Sequence, residues 1–393
     1  MIHKLKNKQD QLKVAIIEPV GGHGGMDYYD FGLCSGLVAA GIMPSLYTST
    51  QTALDSKNNF SVFPMYKNIF GSLPKWRRGL NFVSSSFKVF KHCRSFGNTI
   101  AHFHFFHIGI LEYLNIALAK IFCMKIIITA HDIESFVNKK EFLSLGRLCY
   151  RSADIIITHN KWSHDALKKR FKIKSCNIIP HGNYIKSIKE VISTQNAREK
   201  LKIGKKKKVL LFFGQIKKVK GLDILLRSLP FVKEKHPEIL LLIAGKVWQD
   251  NFEIYRSIIR QYNLQNCCHL NIQYIPNDQV QYYYSAADLV VLPYRRIYQS
   301  GVLLMAMSYQ KAVLASDLPG MTDIVENKKT GFTFKTGSAT NLAQIIIEIL
   351  ANPELSKKVA NAGFDQVKNK FKWDIIGKLT AQCYKSRINH DNR

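Results

Sequence analysis

The chain is constrained most by an alternation: short apolar runs, separated by stretches of helical period, recur along almost its whole length. VAIIEP (Val14–Pro19), TIAHFHF around Ile100, KIIITA (Lys125–Ala130) and DIIIT (Asp154–Thr158) form one series. KVLLFFG (Lys208–Gly214), EILLLIAG (Glu238–Gly245), ADLVVLP (Ala287–Pro293) and KAVLAS (Lys311–Ser316) form a second. Runs this rich in Val, Ile and Leu have no polar face to turn to water. They suit strands of a parallel sheet with helices on both sides. Between them, Leu222, Leu225, Leu226, Leu229 and Val232 recur at helical spacing and predict an amphipathic helix. The fold class is α/β, with doubly wound parallel sheets.

A chain of 393 residues exceeds one ordinary core. The two series of strands divide it into an N-terminal Rossmann-like domain over 1–190 and a second over 208–372. The stretch 191–207 runs into the lysines of KKKK (Lys205–Lys208) and reads as a basic linker. Ligands are expected at the carboxyl ends of the strands and in the cleft between domains.

Charge is the compositional outlier, with 57 Lys+Arg against 28 Asp+Glu. It favours anionic partners such as phosphates, acidic lipid or nucleic acid. The eight cysteines contain no C-x-x-C pair, which removes ribbon-type metal spacing and a disulfide scaffold. MIHKLKNKQDQLK lacks the apolar core of a signal peptide, and Ile108–Ile128 is broken by Glu112, Lys120 and Lys125. A cytoplasmic protein is expected, peripheral on the inner face of the cell membrane.

Five segments carry candidate chemistry. In FFGQIKKVKGLDILL (Phe212–Leu226) a strand ends at Gly214, a basic loop with Gln215, Lys217 and Lys218 follows, and Lys220-Gly221 opens a helix. Cations at a positively polarised helix entrance, with glycines admitting close approach, suit a diphosphate. In LPYRRIYQSGVLLMAM (Leu292–Met307), Ser300 fits an N-cap ahead of Gly301, with free amides for a second phosphate or sugar hydroxyls. EPVGGHGGMD (Glu18–Asp27) is neither G-x-G-x-x-G nor a Walker loop; it reads as a phosphate-facing glycine loop or simply a flexible one. His131 follows the strand Lys125–Ala130 at a carboxyl-end rim, and His102, His104 and His107 read as hydrogen-bonding histidines without carboxylates nearby. No D-x-D occurs, so no metal is expected. Finally, Tyr66–Arg94 interleaves Lys75, Trp76, Arg77 and Arg78 with Phe82, Phe87 and Phe90. It suits either an amphipathic segment on an anionic bilayer or a basic surface helix with an inward aromatic face. No nucleic-acid module is evident, and no nucleic acid is expected as partner.

The Gly214–Gly221 segment, the Ser300-Gly301 helix entrance and ASDLPGMTDIVENKKTGF (Ala315–Phe332) resemble the nucleotide-sugar half of GT-B glycosyltransferases. The similarity is to the retaining family-four (group 1) enzymes of bacterial polysaccharide biosynthesis, from about Val209 to Trp373. TAHD and IIPHGN (Ile178–Asn183) add N-terminal support, and FKWD near Trp373 resembles the start of the family's C-terminal helix, here 373–393, that crosses back to the N-terminal domain. The resemblance implies two Rossmann-like domains facing across a cleft and no cofactor beyond a nucleoside-diphosphate sugar as donor substrate. It implies Lys220 on the donor diphosphate, and Gly214, Gln215, Lys217, Gln299, Ser300 and Gly301 in the donor loops. Asp323 stands where the family usually has Glu, Gly24 and Gly25 approach the phosphates, and His131 contacts the transferred sugar. Two departures stand out: Gln215 replaces the family's Arg, and Ile297 and Met305 fall at its paired-glutamate positions.

The expected activity is transfer of a sugar from a UDP- or GDP-linked donor to a hydroxyl of a lipid-linked or cell-surface saccharide. His131 and Lys220 are the expected catalytic residues, with retention and without metal. Rival readings are an inverting GT-B transferase, a sugar-nucleotide epimerase, and a basic anion- or nucleic-acid-binding protein.

Overall fold

The computed structural model describes residues 11–22, 25–54, 58–134, 143–173, 176–188 and 192–391. They form two units, one of Met1–Gly182 with Phe371–Arg393 and one of Asn183–Lys370.

The first unit holds β1 (Lys13–Glu18), β2 (Met43–Ser49), β3 (Ser61–Tyr66), β4 (Ile100–Phe105), β5 (Lys125–Ala130), β6 (Ile155–Thr158) and β7 (Asn177–Ile178). The strands run parallel in the order β3-β2-β1-β4-β5-β6-β7. The order reverses between β1 and β4, which opens a crevice at their carboxyl ends. Helix Met26–Ala39 follows β1 and packs against the C-terminal helix Trp373–Asp391. Their backbones nearly touch: a Cβ on Gly36 would stand 2.1 Å from the Trp373 carbonyl oxygen, and one on Gly377 2.1 Å from the Gly36 carbonyl carbon. Tyr29, Leu33 and Leu37 then meet Trp373, Ile376 and Tyr384 in one core.

The second unit repeats the plan with β8 (Lys208–Phe213), β9 (Ile239–Ala244), β10 (Cys268–Asn271), β11 (Leu289–Leu292), β12 (Ala312–Ser316) and β13 (Phe332–Phe334). The order β10-β9-β8-β11-β12-β13 places the reversal between β8 and β11. Helix Leu222–Lys235 buries the predicted stripe Leu222, Leu225, Leu226, Leu229 and Val232 completely. The stretch expected as a basic linker contains the helix Thr194–Lys200, capped by Ser193. Its anchor is Arg198, buried, whose guanidinium donates to Ala286 O (3.1 Å) and to Asp288 Oδ2 (2.8 Å). One arginine with a carboxylate to meet distinguishes this segment from the self-repelling lysines beside it.

Candidate active site

In the second unit the loops after β8 and β11 meet at the switch point. Gly214 leaves β8 at φ 100°, and a Cβ on it would lie 3.3 Å from Val302 Cγ2. Gln215 is exposed, whereas Ile216 is buried and bridges to Val247, its N–H on Lys246 O at 2.9 Å. Lys217 precedes the 3-10 turn Lys218–Lys220, and Gly221, at φ 67°, turns the chain into helix Leu222–Lys235. A Cβ on Gly221 would sit 1.9 Å from Pro293 O, a space only glycine leaves open. The Arg295 N–H donates to Val219 O at 2.8 Å, and the Arg295 guanidinium pairs with Asp223. The loop is therefore a pinned turn rather than a free basic segment.

Lys220 Nζ stands 3.8 Å from the centre of the Tyr294 ring. Ser300 caps helix Gly301–Ser308, its Oγ accepting from the Leu303 N–H at 3.2 Å. The Gly301 and Val302 N–H groups, at the first two helical positions, then have no intrahelical acceptor. Gln299 carries a buried Nε2 without a hydrogen-bond partner. The two adjoining loops thus carry one ammonium, two backbone amides and a side-chain amide without an acceptor among the described residues. Ile297 and Met305 are half-buried there and offer no charge. Such a set of donors suits an anion with several oxygens.

Asp323 follows the short helix Pro319–Thr322, which packs on the loop before Ser300: a Cβ on Gly320 would stand 2.5 Å from Tyr298 O and 2.9 Å from Ile297 O. It is exposed and lines an open cleft with Glu326, Asp365, Gln366 and Lys370. Gly24 lies outside the described residues; Gly25, at φ 81°, precedes helix Met26–Ala39.

The carboxyl edge of the first sheet gathers five buried histidines. His102 and His104 belong to β4, His131 follows β5, His159 follows β6, and His181 stands three residues past β7. The Tyr29 ring lies 4.7 Å from His131, 4.8 Å from His181, 5.0 Å from His104 and 5.7 Å from His159, centre to centre. The expectation that the His102 trio has no carboxylate at hand is corrected by the fold. His104 Nδ1 is 3.0 Å from Asp30 Oδ1 and 3.6 Å from Glu18 Oε2, residues distant in sequence. His107 stands apart on the surface, 4.0 Å from Glu112. Donor atoms of Glu18, Asp30 and His104 lie within 4.8 Å, so the trio has the composition of a cation site. The Nδ1–Oδ1 pair engages one ring nitrogen of His104, while its Nε2 is buried without a hydrogen-bond partner among the described residues.

Burial lowers the basicity of His104, but its bonds and charge contacts with Asp30 and Glu18 outweigh this and raise its pKa to about 9. Burial, aided by the Glu18 charge and opposed by the His104 bond, pushes the Asp30 carboxyl up to about 7. Burial pushes the other four the opposite way. His159 falls to about 4 and His181 to about 3, while His102 and His131 drop well below the usual histidine range. One cationic histidine therefore sits among four neutral ones. Glu18, Asp30, Tyr29 and His159 escaped the sequence reading. The available signal was position, because Glu18 closes β1 and His159 follows β6 just as His131 follows β5.

Lys75, Trp76, Arg77 and Arg78 open the helix Lys75–Ser95. Its inner face is filled by Phe82, Val89 and Phe90, so only some of the aromatic residues point inward. Trp76, Leu80, Val83 and Phe87, at i, i+4, i+7 and i+11, form a second, exposed apolar stripe, with Arg77 over the Trp76 ring. Among the described residues no helix is long and apolar enough to cross a membrane.

Residues 193–366 match the family model described as glycosyl transferases group 1, and residues 23–183 match that of glycosyltransferase family 4. Uncharacterized glycosyltransferase MJ1069 of Methanocaldococcus jannaschii is 25% identical over 345 residues, 84% of this chain and 83% of the relative. Uncharacterized glycosyltransferase MJ1607 of the same organism is 25% identical over 199 residues, so that match spans only about half of each chain, 48%. Among solved structures, Anabaena Alr3699/HepE in complex with UDP-glucose superposes with a TM-score of 0.76 at 16% identity, over 96% of this chain and all of the other.

Proposed function

The chain belongs to the group 1 glycosyltransferases and has their GT-B fold, and from that footing we propose that it transfers a sugar from a nucleoside-diphosphate donor to a hydroxyl of a lipid-linked or cell-surface saccharide. The observation that carries the donor reading is that the adjoining loops after β8 and β11, joined at Gly221–Pro293 and Lys220–Tyr294, bear Lys220, the Gly301 and Val302 amides and the orphaned Gln299 Nε2. HepE, of similar fold, has been crystallised with UDP-glucose, which supports a UDP-linked donor here; a GDP-linked one fits the same diphosphate donors.

The chemical task is to stabilise negative charge growing on the departing diphosphate while the sugar turns oxocarbenium-like. Lys220, with Lys217 beside it, supplies positive charge, and the amides of Gly301 and Val302 at the helix entrance supply fixed dipoles that need no reorganisation. Ser300 holds the helix entrance open for them, while Gln215 is exposed at the mouth of the loop. Gly25 is assigned to the donor phosphates and His131 to a hydroxyl of the transferred sugar. With retention, the acceptor hydroxyl forms its bond to the anomeric carbon on the face from which the diphosphate leaves. The acceptor's proton passes to a leaving phosphate oxygen, so the products are a glycoside and the nucleoside diphosphate. All the groups used are protein groups, and no step calls on a metal. Asp323, one residue past the helix that packs on the loop before Ser300, is assigned to the donor as well.

The acceptor side is proposed to lie at an anionic membrane surface on the inner face of the cell membrane. The formal charge of +29 and the exposed stripe of helix Lys75–Ser95 support it. The deciding experiment is a thermal-shift screen with UDP, GDP and ADP sugars, since binding to the folded state alone raises its melting temperature. Selective stabilisation by a UDP or GDP sugar, lost in Lys220→Ala, is expected. No response to any sugar nucleotide removes the proposal.

A further inference from the structure

We infer that His159 is a positioning residue that fixes the tautomer of His131, so that His131 presents a bare Nε2 and selects a ligand group able to donate a hydrogen bond. The inference rests on the role proposed for His131, but its geometry is independent of any donor. His159 Nδ1 lies 3.0 Å from Ile179 O, and since a carbonyl only accepts, that nitrogen carries the proton. A neutral imidazole has one N–H, so His159 Nε2 is an acceptor. His131 Nδ1 stands 3.0 Å from that Nε2 and has to donate to it. The His131 proton is thereby placed on Nδ1 and its lone pair on Nε2. That Nε2 is buried and meets no hydrogen-bond partner among the described residues.

Packing holds the ring that His159 orients. Phe106 stacks on His131 at 4.7 Å and 11°, and Tyr29 meets it edge-on at 4.7 Å. The alternative, a doubly protonated His131, is opposed by burial and by the charge of His104, whose ring centre is 5.6 Å away. A buried acceptor left alone asks for a donor. A sugar hydroxyl meets that demand; a carboxylate or carbonyl does not. The relay thus runs from a backbone carbonyl at the edge of the sheet, through His159, to the unpartnered Nε2 of His131.

The test is imidazole nitrogen NMR on the full chain labelled at histidine, with His131→Gln to assign the resonance. Wild type should show His131 protonated at Nδ1 and bare at Nε2. His159→Gln keeps an oxygen facing His131 and an N–H facing Ile179; it should preserve that tautomer and hold kcat/KM within about threefold. His159→Leu removes both, and should move His131 toward the Nε2–H form while kcat/KM falls about tenfold or more, the scale lost when a partner orienting a functional histidine is removed. A wild-type His131 protonated at Nε2 overturns the inference, as does equal loss in folded Gln and Leu variants. Should His159→Leu not fold, the wild-type tautomer and the Gln rescue still decide. A tautomer series that holds while His131→Ala leaves donor KM unchanged supports the relay and removes the donor-sugar reading instead.

Discussion

Lys220 Nζ rests 3.8 Å above the centre of the Tyr294 ring. The two residues come from different loops, one after β8 and one after β11, and the ring is almost wholly buried. A lysine on a four-carbon stem ordinarily samples many rotamers; a ring face narrows them by attracting the ammonium without neutralising it. Lys220 is thus held in place with its charge still available to a diphosphate.

Lys220→Ala should lower kcat/KM at least tenfold in a folded protein, about 1.4 kcal/mol of transition-state stabilisation. Tyr294→Leu, which removes the ring but leaves the charge, should cost less than Lys220→Ala and act through donor KM. Steady-state kinetics with the donor identified by thermal shift would check both. Unchanged kinetics in Lys220→Ala sinks the diphosphate assignment.

Gly221→Ala tests how the two loops are joined. The new methyl would meet Pro293 O and an αL backbone together, so strain of about 1–3 kcal/mol is the least to be expected. The melting temperature should fall, and activity should fall further than stability at temperatures where the variant is folded. Gly337→Ala has a comparable φ of 83° but nothing within 4 Å of its Cβ, and is the milder control. Equal effects at the two glycines would show that loop contact does not matter.

The buried histidines set a pH dependence of stability. The folded pKa values of His102, His131, His159 and His181 lie below the unfolded value of 6.5. Below that pH unfolding takes up protons at these four, and stability falls as pH falls. Asp30, raised from 3.8 to about 7, acts in the opposite direction over that range, leaving a net uptake of 4 − 1 = 3 protons. His104, raised from 6.5 to about 9, stabilises fully below 6.5, and that contribution is lost as pH rises through 9. Urea midpoints should therefore be lower at pH 5 than near neutrality; above pH 7 the loss from His104 is opposed by Cys267 and Lys311, lowered to about 7 and about 8. His159→Gln, which cannot titrate, should flatten the acid limb. A level profile from pH 5 to 7 would rule out the neutral cluster.

The strands were readable because burial on both faces leaves an unbroken apolar run, and β8, β9, β11 and β12 stand where KVLLFF, ILLLIA, LVVL and AVLAS predict. Gly221 and Ser300 were readable for a related reason: an αL turn and an N-cap are local demands met by one residue type. The Glu18–Asp30–His104 grouping was not, because β1, its following helix and β4 bring together residues up to 86 positions apart. Nor does a one-dimensional reading say which way Phe87 and Phe90 face when both flank basic residues. That depends on the helix's rotation against β3 and its neighbouring helix.

That rotation yields the last prediction. The inner face of helix Lys75–Ser95 is filled, yet Trp76, Leu80, Val83 and Phe87 remain 62%, 61%, 43% and 53% exposed along one line. Folding does not need them there. Lys75, Arg77, Arg78, Lys88, Lys91 and Arg94 surround them on a helix with no acidic residue, a combination that suits apolar insertion into an anionic headgroup layer. Replacing Trp76, Leu80 and Phe87 by Ser should reduce co-sedimentation with phosphatidylglycerol-containing vesicles about tenfold or more, with little change in melting temperature. Replacing Lys75, Arg77 and Arg78 by Gln should weaken binding chiefly at low salt, where their charges are least screened. Quenching of Trp76 fluorescence by brominated lipid would report insertion directly. Binding to neutral phosphatidylcholine as strong as to anionic vesicles would refute the charge requirement. A wild-type dimer in solution that the Ser variant abolishes would assign the stripe to a second copy of the chain instead of a membrane.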